Sequence, residues 1–201
     1  MDARGLADQL RPILGEDAII TDHQRLRTYE CDGLAHYKVI PALVVLVETT
    51  AHVAAVVRAC AAAKVPFVAR GSGTGLSGGA LPHADGVLIV MSRMREILEI
   101  DRASQRAVVE PGVVNLQLTQ AAQPQGYYYA PDPSSQQVCS IGGNVAENSG
   151  GALVPVPGGV LVRDADGVLL GAVGVTGDTS DNDEAAAVAG IERAGLTAET
   201  G

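Results

Sequence analysis

Arg70-Gly-Ser-Gly-Thr-Gly-Leu-Ser-Gly-Gly79 places five glycines in the nine residues after Arg70, between two apolar runs. Glycine lacks a Cβ and tolerates positive φ, so consecutive backbone N–H groups can converge on one anion. Ser72, Thr74 and Ser77 add hydroxyl donors and Arg70 adds a fixed positive charge. A diphosphate is the natural guest. A Walker A loop would need Gly-Lys-Ser/Thr at its end, which is missing here. A Rossmann fingerprint should open a helix, whereas Leu81-Pro82 and another apolar run follow. A flexible surface turn is the competing reading, and the density of glycines between two apolar runs favours the anion cradle.

Working outward, Leu43-Val-Val-Leu-Val47 and Gly86-Val-Leu-Ile-Val-Met91 are short β-branched runs, expected as buried strands. Between the first of them and Phe67-Val-Ala69, a helix capped by Thr50 carries an apolar stripe of Val53, Val56, Val57, Cys60 and Ala61. Residues 43–70 therefore read as a βαβ unit. Leu6, Leu10, Ile13 and Leu14 predict an opening helix, and Thr21 or Asp22 caps a second one over 21–30. Residues 97–109 alternate around Asp101-Arg-Ala-Ser-Gln105 as a hairpin closed by Pro111-Gly112. Asn115 is expected to cap a helix running to about Gln123.

A second constellation follows. Pro131-Asp-Pro-Ser-Ser135 is by itself a turn, and Gly142-Gly-Asn-Val-Ala-Glu-Asn-Ser-Gly-Gly151 mixes exposed backbone with amides. Asn144 and Asn148 lie four apart, which on a helix is one face. Two amides there suit a ring edge or a phosphate; ordinary loop capping is the equal alternative.

Composition bounds the rest. The chain has 201 residues, no Trp, one Phe and a net charge of −9, which argues against nucleic acid. Residues 1–151 hold 12 Lys/Arg against 15 Asp/Glu, and residues 152–201 hold 2 against 8, so the net charge falls from −3 to −6 across position 151. Three scattered thiols, Cys31, Cys60 and Cys139, suit a reducing compartment. The start lacks a cationic and apolar leader, and no apolar run approaches the ~18 residues that span a bilayer. A cytoplasmic protein is expected. His23, His36, His52 and His83 are scattered, without metal-type spacing.

Together, and in this order, these motifs resemble the FAD-linked subunit family of glycolate oxidase, within the flavoproteins that carry a vanillyl-alcohol-oxidase (PCMH) type FAD domain. Tyr29-Glu-Cys-Asp-Gly-Leu34, Ser92-Arg-Met-Arg-Glu-Ile-Leu98 and Val109-Glu-Pro-Gly-Val113 extend the match over residues 5–151. The resemblance implies an α/β (α+β) fold of two subdomains with FAD between them, over residues 1–151. Arg70, Gly71, Ser72, Gly73, Thr74, Gly75, Leu76, Ser77 and Gly78 would hold the pyrophosphate. Pro131, Asp132, Ser134 and Ser135 would line the flavin side, and Gly142, Gly143, Asn144 and Asn148 would contact the cofactor from the second motif. It also implies a 2-hydroxy acid as hydride donor, and iron–sulfur and second flavin subunits as partners. The family continues with more FAD domain and a substrate domain that this sequence does not show, so weak or no turnover alone is expected and no catalytic residue is assigned.

Residues 152–201 read as a hairpin around Asp164-Ala-Asp-Gly167, a helix from Thr179-Ser-Asp-Asn-Asp-Glu184 to Ala194, and a frayed end. Pro155-Val-Pro-Gly-Gly-Val160 and Asp166-Gly-Val-Leu-Leu-Gly-Ala-Val-Gly-Val-Thr-Gly177 resemble the end of a heme-binding accessory family of the glycolate operon. Two alternatives follow: a heme-associated accessory or sensor module, and a non-functional product of fused genes. The first lacks His, Cys, Met or Tyr in the tail to ligate iron. The hairpin is also a candidate for covering an open sheet edge.

Overall fold

The computed structural model describes residues 2–131, 133–148, 159–163, 169–174 and 180–199, with side chains over 2–131, 133–148 and 185–198. Its centre is a four-stranded sheet in the order β1-β2-β4-β3, formed by Ile19–Ile20, Leu43–Leu46, Val87–Val90 and Phe67–Arg70. β2 and β3 both run parallel to β4, and β1 closes the far edge antiparallel to β2. The expected βαβ unit exists as β2, helix α3 (Thr50–Ala63) and β3, yet its two strands are not neighbours, because β4 inserts between them. Local sequence sets strand and helix but not lateral order. That order depends on which apolar surfaces meet, and β4 is the strand best suited to the centre: all four of its residues are buried.

Alternation sorts the side chains by face. Leu43, Val45, Val47, Val87 and Ile89 pack under α3 and α1 (Gly5–Leu14), with Leu6, Leu10, Val56 and Cys60. Val44, Leu88 and Val90 face the other way, against Ile20, Leu26 and the partly buried Tyr29 and Ile40. The short helix α2 (His23–Leu26), capped by Asp22, supplies that second cover.

Thr49, not Thr50, caps α3: its backbone is extended and its hydroxyl accepts the His52 N–H at 3.1 Å. The helix therefore buries Ala59 and leaves Ala61 exposed. It ends at Lys64, in the left-handed region, as its apolar run gives way to Pro66.

Strands β5 (Ile97–Asp101) and β6 (Arg106–Val109) make the expected hairpin, with Gln105 at φ 52° in the turn. α4 (Asn115–Ala122) follows and α5 (Ile141–Ala146) comes after the loop. Val114 precedes α4 in extended conformation, so Asn115 is its first residue and not its cap.

In the tail, β7 (Gly159–Arg163) and β8 (Leu169–Gly174) pair antiparallel, and their turn at 164–167 lies outside the described residues. α6 (Ser180–Arg193) is followed not by a frayed end but by β9 (Thr197–Glu199), paired to β7. Order β8-β7-β9 is a separate sheet. Among the described residues it covers no edge of the β1-β2-β4-β3 sheet, and the expected edge-covering role is not realised by strand pairing. Its described side-chain core is Ala187 and Ile191, with Val188, Leu196 and Ala198 against them.

Candidate functional site

Parallel strands end on one side of a sheet, and crevices at the carboxyl ends of such strands are where α/β folds receive ligands. β3 and β4 end level, with the Met91 N–H donating to the Arg70 carbonyl at 2.9 Å. The glycine loop leaves β3 at that level. Facing it is the second glycine motif, held in place by a run of backbone bonds. Ile141 N–H donates to Val113 O and Gly142 N–H to Pro111 O, each at 2.8 Å, while Val114 and Ser140 form an isolated bridge. The two motifs touch where the Ser72 N–H donates to Ser140 Oγ at 3.2 Å.

Between them is a cleft of about 570 Å³. Arg70, Gly71, Ser72, Gly73, Thr74, Gly75 and Leu76 line it from one side, and Ser134, Ser135, Gly142, Gly143 and Asn144 from the other. Ser77, Gly78, Pro131 and Asn148 lie outside its described lining, and Asp132 lies outside the described residues.

Asn144 and Asn148 do not share a helical face. α5 stops at Ala146, and Asn148 has φ 50° in the left-handed region, because the following Ser-Gly-Gly run offers no further helical residues. Asn144 is instead buried against Asn115: its Nδ2 donates to Asn115 Oδ1, and Asn115 Nδ2 donates to the Pro131 carbonyl at 3.3 Å. This amide relay joins α4, α5 and the 131–135 turn. Buried amides need such partners, since each unsatisfied group costs about 1–3 kcal/mol.

Arg70 does not present its guanidinium freely to the cleft. Nη1 donates to the Cys31 carbonyl at 2.7 Å and to the Ala80 carbonyl at 3.4 Å, and the group lies 5.9 Å from the Tyr29 ring centroid. Burial lowers its pKa, an effect opposed by Cys31, Asp32 and Tyr29.

Three residues escaped the sequence expectations. Ser140 ties the motifs together, Asn115 anchors the relay, and Glu147 faces the glycine loop. Ser77 Oγ donates to the Glu147 carboxylate. A Cβ on Gly75 would come within 2.9 Å of Glu147 Oε1. The missing side chain thus gives an anionic group access to the loop. Glu147 lies inside the second motif, so an acid beside a donor-rich loop was the available signal.

These features fit a dinucleotide cofactor: open backbone donors, a hydroxyl bridge, buried amides and enough volume for part of the ligand. Residues 41–169 match the family described as FAD binding domain, and the chain belongs to that family. The match takes in β7 and the first residue of β8. The chain is 55% identical over 137 residues to the glycolate oxidase subunit GlcD of Escherichia coli, covering 68% of this chain and 27% of the relative. It is 36% identical over 149 residues to a D-2-hydroxyglutarate dehydrogenase of Stutzerimonas stutzeri, covering 74% and 32%. A solved structure of alkyldihydroxyacetonephosphate synthase shares the fold at TM-score 0.69 and 20% identity, covering 89% of this chain and 37% of that one. The chain therefore spans about a third or less of the length of these curated relatives. FAD is the cofactor of the family, and the mixed α/β expectation holds over the described residues. Among the described residues no helix is long and apolar enough to cross a membrane, and no group of His, Cys, Asp and Glu is placed to hold a metal ion.

Proposed function

We propose that this chain is the FAD-binding part of a 2-hydroxy-acid oxidoreductase of the glycolate or D-lactate type. The observation that carries this is the meeting of two glycine motifs, from distant parts of the chain, across one cleft at Ser72 and Ser140. The 71–78 loop holds the pyrophosphate through backbone N–H groups, while Ser134, Ser135 and Asn144 face the remainder of the cofactor. When bound, the flavin supplies a hydride acceptor. The residues described here bind and orient it, and a substrate-binding region supplied elsewhere recognises the acid. Iron–sulfur and second flavin subunits are the proposed partners, and the three free cysteines support a reducing, cytoplasmic setting.

The test is direct. Purified chain is titrated with FAD and with FMN by calorimetry and visible absorbance. Preferential binding of FAD is expected, with no bleaching by glycolate or D-lactate under anaerobic conditions. Failure to bind FAD overturns the reading. A Soret band after heme addition would replace it with the accessory-module alternative suggested by the tail.

A further inference from the structure

Tyr29-Glu-Cys-Asp-Gly-Leu34 does not line the cleft, yet it contacts the phosphate loop from outside. The Gly33 N–H donates to the Gly75 carbonyl at 2.9 Å. A Cβ at Gly33 would come within 2.6 Å of the Thr74 carbonyl oxygen, so only glycine permits this approach. Cys31 offers its carbonyl to Arg70, and Tyr29 offers a ring face.

Asp32 is the anomaly in this segment. It is 6% exposed; Oδ1 accepts the Leu34 N–H at 2.8 Å, and Oδ2 is buried without a hydrogen-bond partner. A buried carboxylate with a free oxygen is costly unless a compensating charge is near. Arg70 donates to the carbonyl of Cys31, the residue next to Asp32, and the Asp32 charge favours its cationic form. No salt bridge joins Asp32 and Arg70; the compensation acts through space, in a region where water does not screen it well.

We infer that Asp32 is a positioning residue for the phosphate loop: it keeps Arg70 turned inward as a strut between Cys31 and Ala80, so that Gly33 can hold Gly75 and set the loop's curvature. Arg70 then serves the diphosphate by shaping backbone donors and does not pair with it. This rests on the proposed FAD site, and it assigns a role to a segment outside both glycine motifs.

Asp32→Asn, Arg70→Gln and the double variant decide it, using the full chain and FAD as the probe. In Asp32→Asn, hydrogen exchange of the Gly33 amide and of residues 71–80 should accelerate about tenfold, and FAD affinity should fall about tenfold. The double variant should be no worse than the weaker single variant, because both charges leave together. If Asp32→Asn does not fold, the double variant still should; loss of both folds overturns the charge pairing. The salt dependence of FAD binding separates the two roles of Arg70. An unchanged slope in Arg70→Gln supports a strut, and a shallower slope shows direct pairing with the diphosphate and overturns the inference. Unchanged exchange in Asp32→Asn overturns it as well. If the unmodified chain binds no FAD, the functional reading fails, while the exchange measurement still decides the role of Asp32.

Discussion

Two of the three sheets among the described residues, β1-β2-β4-β3 and β8-β7-β9, differ in their use of glycine and burial. In the β1-β2-β4-β3 sheet, the central strands β2 and β4 are covered on both faces, and two glycines of the same region are crowded: Gly33 has the Thr74 carbonyl, and Gly142 the Pro111 ring, at 2.6 Å from an added Cβ. In the tail, the described side-chain core is small, and neither Gly190 nor Gly195 has anything within 4 Å of an added Cβ. Gly33 and Gly142 are there because another chain segment must come close. Gly190 leaves that space unfilled, and Gly195, at φ 74°, supplies a left-handed turn. A glycine count alone does not distinguish the two; the neighbours do.

Four measurements would break or sharpen that contrast. The largest effect is expected at Leu88, fully buried in the central strand. Leu88→Ala should cost about 2–5 kcal/mol in denaturant unfolding, as core truncations do. Ile191→Ala, in the tail, should leave FAD affinity and the main transition of the first region unchanged. A shared transition shifted equally by both variants would show that the two sheets form one cooperative unit.

Next is Cys60, in the helix-covered face, where burial pushes the thiol up to about 11 from about 9. The raised value means that the folded state holds its proton longer than the unfolded chain does. The associated stability is therefore full below pH 9 and is lost as pH rises through about 11. That loss amounts to about 2–3 kcal/mol. The fall in unfolding stability between pH 8 and pH 11 should be about 2 kcal/mol smaller in Cys60→Ala than in the parent, the remainder coming from other groups such as the half-buried Tyr129 hydroxyl. Equal pH dependence in both would remove the thiol from the account.

Gly142→Ala comes third. Its Cβ would strike Pro111, and overpacking of that kind costs about 1–3 kcal/mol. Because Gly142 lines the cleft, FAD binding should weaken more than stability does. The smallest effect has the opposite sign. Gly190 sits inside α6 with open space around it, so Gly190→Ala should stabilise the tail by about 0.5–1 kcal/mol, read from its own melting signal.

Much of this was legible in the residues themselves. Apolar β-branched runs marked β2 and β4 because two-sided burial needs uninterrupted hydrophobicity. The loop at 71–79 marked itself by a glycine density that no ordinary turn requires. What stayed hidden depended on long-range partners. Asn115 and Thr50 both have capping chemistry, yet the side chain of Asn115 is drawn inward by Asn144, and Thr49 is the residue whose backbone is extended. Helical spacing linked Asn144 with Asn148, but the helix ends between them. Arg70 was expected at the phosphate because its charge is visible in sequence; the Cys31 and Ala80 carbonyls that receive its Nη1 donor are not. β9 spans three residues, too few for a periodic signal.

The contacts that close the cleft, Ser72 to Ser140 and Ser77 to Glu147, join residues 68 and 70 positions apart. During synthesis at about 5–20 residues per second, roughly 4–14 s separate the appearance of Ser77 from that of Glu147. Through that interval the donor-rich loop is made but has no opposite wall. Closing the gap brings together ends separated by a long loop, an entropic cost that grows only slowly with length but must be met before any of these contacts forms. Assembly of the cofactor cleft therefore waits on synthesis of the second motif, and a cofactor that bridges both motifs would favour the closed state by mass action.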